Sequence, residues 1–148
     1  MPDHKPPVIK NRKATHEFEI LERFTAGIQL AGTEIKSIRQ SKVNFADSFC
    51  FFRDGELWLK NMHISEYELG NIYNHEPKRD RKLLLTKREL RKLEQKKKEK
   101  GLTVVPLKIF FQRGYAKMEI GLARGKKLYD KRAALKEKDL KKEMARER

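Results

Sequence analysis

A chain of 148 residues is long enough for one folded domain around a single core. Apolar residues make up 38% and charged residues 39%, and 36 lysines and arginines against 21 acids give a net charge of +15. This composition excludes a fully disordered chain and predicts a polyanionic partner, with nucleic acid favoured over an anionic membrane surface. The alternative is a charged surface that only keeps the protein soluble.

The single cysteine and the first residues bear on the compartment. Cys50 lies in the apolar run FADSFCFFRDG, which predicts a buried and inert thiol. One cysteine cannot form a disulfide within the chain, which suits a reducing compartment. The start, MPDHKPPVIKNRKA, lacks an apolar signal segment, and no stretch approaches the roughly 20 apolar residues of a membrane span. We therefore expect a soluble cytoplasmic protein that does not contact a membrane.

The chain begins with a segment that predicts a flexible basic arm over residues 1–14. Three prolines and the basic positions Lys10, Arg12 and Lys13 occur there with few apolar residues. From His16 onwards the stretch HEFEILERF alternates apolar and polar residues, which predicts a strand.

The strand is expected to continue through TAGIQLAG, with bends or bulges at Gly27 and Gly32. The following stretch, GTEIKSIRQSK, predicts a short helix. Thr33 is its expected N-cap, and Ile35 and Ile38 form its expected buried edge.

Three strand-like runs come next. NFADSFCFF is rich in aromatic residues, and Asp54-Gly55 is a hairpin turn signal. In ELWLKNMHI, Leu57 and Leu59 alternate with other residues, as in a half-buried strand. SEYELGNIY predicts a short edge strand, and NHEPKRDRK predicts a loop.

The stretch KLLLTKRELRKLEQKKKEKG carries the clearest helix signal in the chain. Thr86 and Glu89 have the spacing of a capping box, and Leu90 and Leu93 are expected to face inward. Gly101 is the expected stop after the helix.

The last folded stretch, LTVVPLKIFFQRGYAKMEIGLARG, predicts two strands around a turn at Arg113-Gly114. Strict alternation gives one face of Val105, Leu107, Ile109 and Phe111, and another of Val104, Lys108 and Phe110. Pro106 predicts an edge or a bulge.

Together these elements predict a mainly β fold. Strands joined by short turns pair antiparallel, and about six of them predict a small OB-like barrel with short helices at its openings. We expect this RNA-binding domain to span residues 15–127, followed by a basic tail over residues 128–148.

The sequence lacks the patterns of a catalytic or metal site. His4, His16, His63 and His75 are far apart and have no ligands at metal spacing. The stretch GLARGKK resembles a phosphate-binding loop, but it is one residue short and has Lys127 where the magnesium-binding hydroxyl is required. We therefore expect no enzyme activity, no metal and no cofactor.

Basic residues are concentrated between Lys78 and Lys100. This stretch holds twelve lysines and arginines against four acids, an imbalance that predicts phosphate contacts; a solvated face is the alternative. The aromatic residues near the last turn are interleaved with charge, which allows either base stacking or a place in the core. They are Phe110, Phe111 and Tyr115, next to Arg113 and Lys117.

The C-terminal segment from Lys126 to Arg148 has ten positive and five negative residues. Its composition favours a helix, but its apolar stripe is thin, with Leu140 and Met144 four residues apart. An isolated helix of this length is marginal in water. We expect disorder in the free protein and helix formation on a polyanion, or else a frayed extension without a role.

Several stretches together resemble one family. They are NRKATHEFEI, AGIQLAGTEIKSIR, DSFCFFRDGELWL, KRDRKLLLTKREL, GLTVVPLKIFF and GLARGKKLYDKR, in matching order and spacing from about Asn11 to Arg132. The family is small protein B, the SsrA-binding (transfer-messenger RNA-binding) proteins of bacterial trans-translation.

The resemblance implies an RNA-binding adaptor, not an enzyme, on an OB-like barrel with flanking helices. Such a protein binds the tRNA-like domain of transfer-messenger RNA and delivers it to stalled ribosomes, where it stands in for the missing anticodon arm. Its tail is helical in the empty messenger channel, and its partners there are the ribosomal RNA of the decoding centre and the channel. We expect a monomer.

The resemblance also implies site residues. His16 would lie near the decoding centre, and Asp130, Lys131 and Arg132 match the D-K-R motif that anchors the tail. The implied RNA-binding set is Asn11, Arg12, Lys13, His16, Lys36, Lys82, Leu84, Thr86, Lys126 and Lys127. The implied tail set at the decoding centre is Tyr129, Asp130, Lys131 and Arg132.

Three positions depart from the pattern of some family members. Thr25 stands where some carry an acid and supplies no charge, while Thr86 replaces asparagine and keeps its hydrogen-bonding capacity. Tyr129 stands where some have histidine; either ring can stack on a base, but only histidine titrates near neutrality. The alternative function is a general basic OB-type RNA-binding or ribosome-associated protein without a preference for transfer-messenger RNA.

Overall fold

A closed ring of six antiparallel strands forms the body of the protein, for which a computed structural model describes residues 5–70, 73–99 and 101–125. Around the ring the order is β8, β4, β5, β7, β2 and β9, and β9 pairs again with β8. This confirms the prediction of an OB-like antiparallel barrel. The strands are β1 (Ile9–Lys10), β2 (Phe18–Ile28), β3 (Val43–Asn44), β4 (Phe49–Arg53), β5 (Glu56–Lys60), β6 (His63–Ile64), β7 (Arg81–Leu84), β8 (Leu102–Gln112) and β9 (Tyr115–Gly125); the helices are α1 (Arg12–Glu17), α2 (Gly32–Arg39) and α3 (Lys87–Lys97).

Some of the predicted site residues lie outside the described part of the chain. They are Lys126, Lys127, Tyr129, Asp130, Lys131 and Arg132.

The two predicted hairpins are present. Asp54 and Gly55 have φ angles of 53° and 77° between β4 and β5, and Arg113 and Gly114 have φ angles of 52° and 83° between β8 and β9. Positive φ at both central residues is what the tightest hairpin turn requires. Cys50 on β4 is buried as predicted, and burial raises the pKa of its thiol, which keeps it protonated.

The predicted faces of β8 are wrong because the strand carries a bulge. The pairing register with β9 shifts between Pro106 and Lys108, where Pro106 had predicted an edge or a bulge. An extra residue reverses the alternation beyond it. Val104 and Ile109 therefore share the main core, while Val105 and Leu107 belong to a second one.

Strand β7 was not predicted. Its residues fell in the predicted loop NHEPKRDRK and at the start of KLLLTKRELRKLEQKKKEKG, ahead of the predicted helix cap Thr86. In the structure β7 lies between β5 and β2 and closes the ring, with Leu83 opposite both Leu57 and Ile28. Arg81 occupies the other inward position of this strand and is fully buried. A charged residue at a core position hides the apolar alternation by which a strand is recognised.

Helix α3 begins and packs as predicted. The Thr86 hydroxyl accepts a hydrogen bond from the Glu89 amide, and the Glu89 carboxylate accepts one from the Thr86 amide, both at 3.1 Å. Leu90 and Leu93 are buried, but the helix ends earlier than predicted, at Lys97 with Lys98 as its C-cap, and Gly101 with its φ of +86° lies beyond that end.

Helix α2 begins differently from its prediction. Its N-cap is Ala31, whose amide donates to the Glu34 carboxylate at 2.8 Å, whereas the Thr33 hydroxyl is bonded to His75. Gly32 is the first residue of the helix and does not bend a strand. The irregularity in β2 lies between Ile20 and Glu22, and not at the predicted glycines.

The end of the predicted flexible arm is part of the fold. Ile9 and Lys10 of β1 pair with Ile109 and Lys108 of β8, and α1 follows immediately. His16 therefore lies in the last turn of a helix, and the strand begins only at Phe18. Strand β1 has no signal in the sequence, because two residues carry no periodicity of their own.

Helix α1 covers part of the outer surface of the ring. Ala14 packs there on Val105, Leu107 and Ala123 in the second core. A side chain at Gly121 would leave only 2.9 Å between its Cβ and Ile20 Cγ2, so the close packing depends on glycine at this position.

A buried ion-pair network connects α2 with β7. Arg81 Nε lies 2.6 Å from one Glu34 oxygen, and Arg79 Nη2 lies 2.6 Å from the other. Burial acts to raise the pKa of the Glu34 carboxyl, but hydrogen bonds from Arg79 and the Ala31 amide, with the charge of Arg81, lower the pKa overall. Arg81 also donates to the carbonyls of Met62 and Pro77.

Glu34→Gln is expected to destabilise the protein by about 3–5 kcal/mol at pH 7, because it leaves the Arg81 guanidinium buried without its counter-charge. Urea unfolding monitored by circular dichroism measures this. Glu56→Gln, which breaks the partly exposed pair with Lys82, is the control and should cost at most about 1 kcal/mol. Equal effects of the two substitutions would contradict the role of the buried pair.

The same carboxyl predicts a pH dependence. Because the folded state lowers the pKa of Glu34 from its ordinary value of 4.5, its contribution to stability is complete above that value. The contribution is lost as the pH falls from 4.5 through the lowered pKa. Unfolding measured from pH 7 to pH 2 should show a smaller loss of stability in Glu34→Gln than in the wild type, and parallel curves would contradict this.

Candidate nucleic-acid interface

Three of the predicted RNA-binding residues lie together on α1, and we call Arg12, Lys13 and His16 the α1 surface. All three side chains are exposed. The Lys13 ammonium lies 2.6 Å from the Asp47 carboxylate, and this hydrogen bond raises the pKa of Lys13 and lowers that of Asp47. The surface therefore presents cations on a short helix that is fixed to the ring.

Asn11 differs from its neighbours because its side chain is only 6% exposed. Its Nδ2 donates to the Pro106 carbonyl at 2.8 Å, its Oδ1 accepts from the Ala14 amide, and its backbone amide donates to the Leu107 carbonyl. The structure thus uses Asn11 to attach α1 to the bulge of β8. Its polar groups hold Arg12 and Lys13 in place.

A second group lies on β7 and the residues after it, and we call Lys82, Leu84 and Thr86 the β7 surface. These side chains point outward, alternating with the buried Arg81 and Leu83. Leu84 is an apolar side chain with 48% exposure. Leu84 pairs with Gly27 on β2 and packs over it. A Cβ atom added to Gly27 would lie only 3.3 Å from Leu84 Cβ, so the close contact depends on the glycine.

Local contacts hold each member of this second group. Lys82 Nζ lies 2.9 Å from the Glu56 carboxylate, and Thr86 is the N-cap of α3.

Two further positions named from the sequence lie on other elements. Thr25, where some family members carry an acid, is exposed on β2 opposite Glu119. Lys36 is exposed on α2, with its Nζ 5.4 Å from the centre of the Tyr67 ring.

The structure separates the two surfaces. The α1 surface directly precedes Phe18 at the start of β2, whereas Leu84 pairs with Gly27 near the end of that strand. Nine residue steps along a strand span roughly 30 Å. Phe18 also pairs with Gly125, so the end of β9 lies beside the α1 surface.

Several residues of the basic run between Lys78 and Lys100 are engaged within the protein. Arg81 is buried against Glu34, which corrects its assignment to a phosphate-binding cluster. Lys92 and Lys96 both bond to Glu22, which holds α3 against β2 and lowers the pKa of Glu22. The exposed cations of this run that form no ion pair with a described residue are Lys78, Lys87, Arg88, Arg91 and Lys98.

The structure also separates the aromatic residues near the last turn. Phe111 is paired with Ala116, packs on the core and lies under the Arg39 guanidinium, 4.5 Å from the ring centre. Phe110 and Tyr115 lie on the outer face.

The pairing of β1 with β8 brings Lys10 opposite Lys108. No signal in the sequence indicated that these two lysines would be neighbours.

The described residues, 5–70, 73–99 and 101–125, contain neither a metal-binding cluster nor a helix suited to a membrane. Within them, no three histidine, cysteine or acidic side chains are grouped so that they could hold a metal ion. His75 is buried and bonded to Thr33 and to the Ile64 carbonyl. None of the helices in the same ranges has the length and apolar character to cross a membrane.

Comparison with known proteins agrees with this architecture. The family model described as SmpB protein matches residues 8–148. The SsrA-binding proteins of Carboxydothermus hydrogenoformans and Cytophaga hutchinsonii are 58% and 57% identical to this chain; each match covers 93% of this chain, and 92% and 91% of the relative. A solved structure described as "tmRNA-SmpB: a journey to the center of the bacterial ribosome" is 59% identical with a TM-score of 0.69, over 81% of this chain and 85% of that chain. Since the family match and both relatives span nearly the whole chain, the chain belongs to the SmpB family of SsrA-binding proteins.

Proposed function

We propose that this chain is an RNA-binding adaptor that binds transfer-messenger RNA and brings it to stalled ribosomes. The observation that carries the proposal is the presence of two exposed groups of candidate RNA-binding residues, the α1 surface and the β7 surface, at opposite ends of β2. An adaptor must hold two large partners at once, which requires contact surfaces that do not overlap. The family membership and the net charge of +15 support a polyanionic partner on each side.

The β7 surface is the part that we assign to the tRNA-like domain of transfer-messenger RNA. Lys82 supplies charge to a phosphate, and the Thr86 hydroxyl supplies a hydrogen-bonding group. Leu84 adds an exposed apolar side chain against which a sugar or base can pack, a contact that a purely electrostatic site does not offer. Lys36 lies on α2, which follows the end of β2 that pairs with β7.

The α1 surface is the part that we assign to the ribosome. It lies beside Gly125, the last residue of β9, and we assign Lys126 and Lys127, which follow Gly125 in the sequence, to the same partner. In this arrangement His16 faces the decoding centre, and the protein stands in for the missing anticodon arm. Tyr129, Asp130, Lys131 and Arg132 then lead residues 128–148 into the empty messenger channel, where the segment is helical.

The role is one of binding, without a catalytic step or a cofactor. We propose that the protein acts in the cytoplasm and enters the ribosome as a monomer. The competing function, a general basic RNA-binding protein, predicts equal affinity for the tRNA-like domain and for unrelated hairpins. The first experiment below separates the two.

The wild-type chain is expected to bind the tRNA-like domain of transfer-messenger RNA at least tenfold more tightly than an unrelated hairpin of equal length at physiological salt. Leu84→Asp should reduce that affinity about tenfold, because it places a carboxylate against the RNA. Arg12→Gln with His16→Ala, on the α1 surface, is the matched control and should change it less than about threefold. Gel-shift titration measures all of these, and equal affinity of the wild type for both RNAs would refute the proposal.

Truncation before Tyr129 is expected to leave the affinity for the tRNA-like domain within about twofold of the full chain. It should abolish tagging of stalled nascent chains, because the removed segment is assigned to the messenger channel and not to the β7 surface. Gel shift and a reconstituted tagging reaction measure the two properties. A truncated chain that still tags stalled products would contradict the assignment of the tail.

A further inference from the structure

The outer face of the β8–β9 hairpin carries two aromatic side chains that the proposed function does not use. Phe110 pairs across the hairpin with Lys117, and Tyr115 is two residues from Lys117 on the same strand, so the three side chains share one face. Tyr115 is 72% exposed and Phe110 is partly exposed. The neighbouring pair Ile109 and Met118 points the other way and is fully buried.

Three lysines surround these rings. Lys108 lies two residues before Phe110, and β1 adds Lys10 directly opposite Lys108. Neither of these nor Lys117 forms an ion pair with any residue that the structure describes. Glu119 lies directly opposite Lys108 on this face, but its carboxylate is bonded to Arg23 at 2.8 Å. We call Lys10, Lys108, Phe110, Tyr115 and Lys117 the hairpin panel.

The spacing of the two rings suits a nucleobase. Phe110 and Tyr115 are diagonal neighbours on an antiparallel pair, whose residue positions lie roughly 7–8 Å apart, close enough for aromatic side chains to contact the same group. Both rings stand on the outer face of the hairpin and offer a surface on which a base can stack. Lys108 Nζ lies 5.6 Å from the centre of the Phe110 ring, within reach of a phosphate flanking such a base.

Another aromatic face of the ring differs in charge and serves as a comparison. On β4 and β5, Phe51 pairs with Trp58, and the Arg53 guanidinium lies 4.2 Å from the centre of the Trp58 ring. Arg53 is itself 3.7 Å from Asp80, and the adjacent Lys82 is paired with Glu56. The cations of that face have carboxylate partners, whereas the three lysines of the hairpin panel form no ion pair with a described residue.

The hairpin panel adjoins the β7 surface. Gly27 on β2 pairs with Leu84 on one side and with Lys117 on the other, so no side chain stands between the two surfaces. We propose that the hairpin panel binds an unpaired nucleotide of the same transfer-messenger RNA that the β7 surface holds. The base stacks on Phe110 and Tyr115, and the flanking phosphates contact Lys10, Lys108 and Lys117. This inference rests on the proposed function and adds a stacking contact to it.

The test uses the full chain and the tRNA-like domain of transfer-messenger RNA. Tyr115→Ala should weaken binding roughly tenfold, because one stacked base loses its ring. Tyr115→Phe keeps the aromatic ring and should therefore bind within about twofold of the wild-type affinity. Tyr73→Ala removes a tyrosine that is 83% exposed on a loop away from the hairpin panel, and should bind as the wild type does.

The lysines have a separate readout. Lys108→Gln with Lys117→Gln should reduce the slope of log affinity against log salt by about one per lysine. Lys60→Gln, on the outer face of β5, is the matched control and should leave the slope of the wild type unchanged. Thermal unfolding of each variant verifies the fold.

Each outcome decides between the hypotheses. If Tyr115→Ala binds as tightly as Tyr73→Ala while Leu84→Asp loses affinity, the hairpin panel is refuted and the proposed function stands. If Tyr115→Ala keeps its RNA affinity but fails in tagging, the hairpin panel faces the ribosome. That result also refutes the proposal that the panel binds a nucleotide of transfer-messenger RNA. If the wild type does not prefer the tRNA-like domain, the proposed function fails, and the assigned occupant of the hairpin panel fails with it.

Discussion

The buried ion pair between Glu34 and Arg81 determines how the ring closes. Arg81 points inward from β7, the strand between β5 and β2, and Glu34 holds it from α2. Further bonds from Arg81 to the Met62 and Pro77 carbonyls connect the loops on both sides of β6. A buried charge is tolerated only when it is paired and hydrogen-bonded, so this network places β7 in one register. Because side chains alternate along a strand, the same register directs Lys82 and Leu84 outward.

The length of β2 then determines the geometry of the surfaces. Its eleven residues carry the α1 surface at one end and Gly27, the partner of Leu84, near the other. Asn11 fixes the position of the α1 surface, because it attaches α1 to the bulge of β8. The ring therefore keeps these two surface regions apart, which is the arrangement that the proposed adaptor role requires. The hairpin panel extends one of these regions across the adjoining strands.

Elements with complete local signals were predictable. The capping box of Thr86 and Glu89 and the turn residues Asp54-Gly55 form the structures that their spacing indicates. Elements that depend on distant partners were not. Strand β1 exists only through its pairing with β8, and β7 contains a buried arginine whose counter-ion lies 47 positions earlier in the sequence. The faces of β8 were wrong for a related reason, since Pro106 indicated an irregularity but not which side chains it would reverse.

The sequence by itself determined the positive charge, the barrel class, the helix α3 and the family, because composition, capping residues and motif order are local properties of the chain. Through the family resemblance it also named the candidate residues that lie on α1 and β7, but it predicted neither of these two elements. Only the tertiary structure decided that Asn11 and Arg81 are internal supports, that Phe110 faces outward while Phe111 lies under Arg39, and that the two surfaces are separated along β2. Those outcomes depend on pairing register and burial, which arise from contacts between residues far apart in the chain.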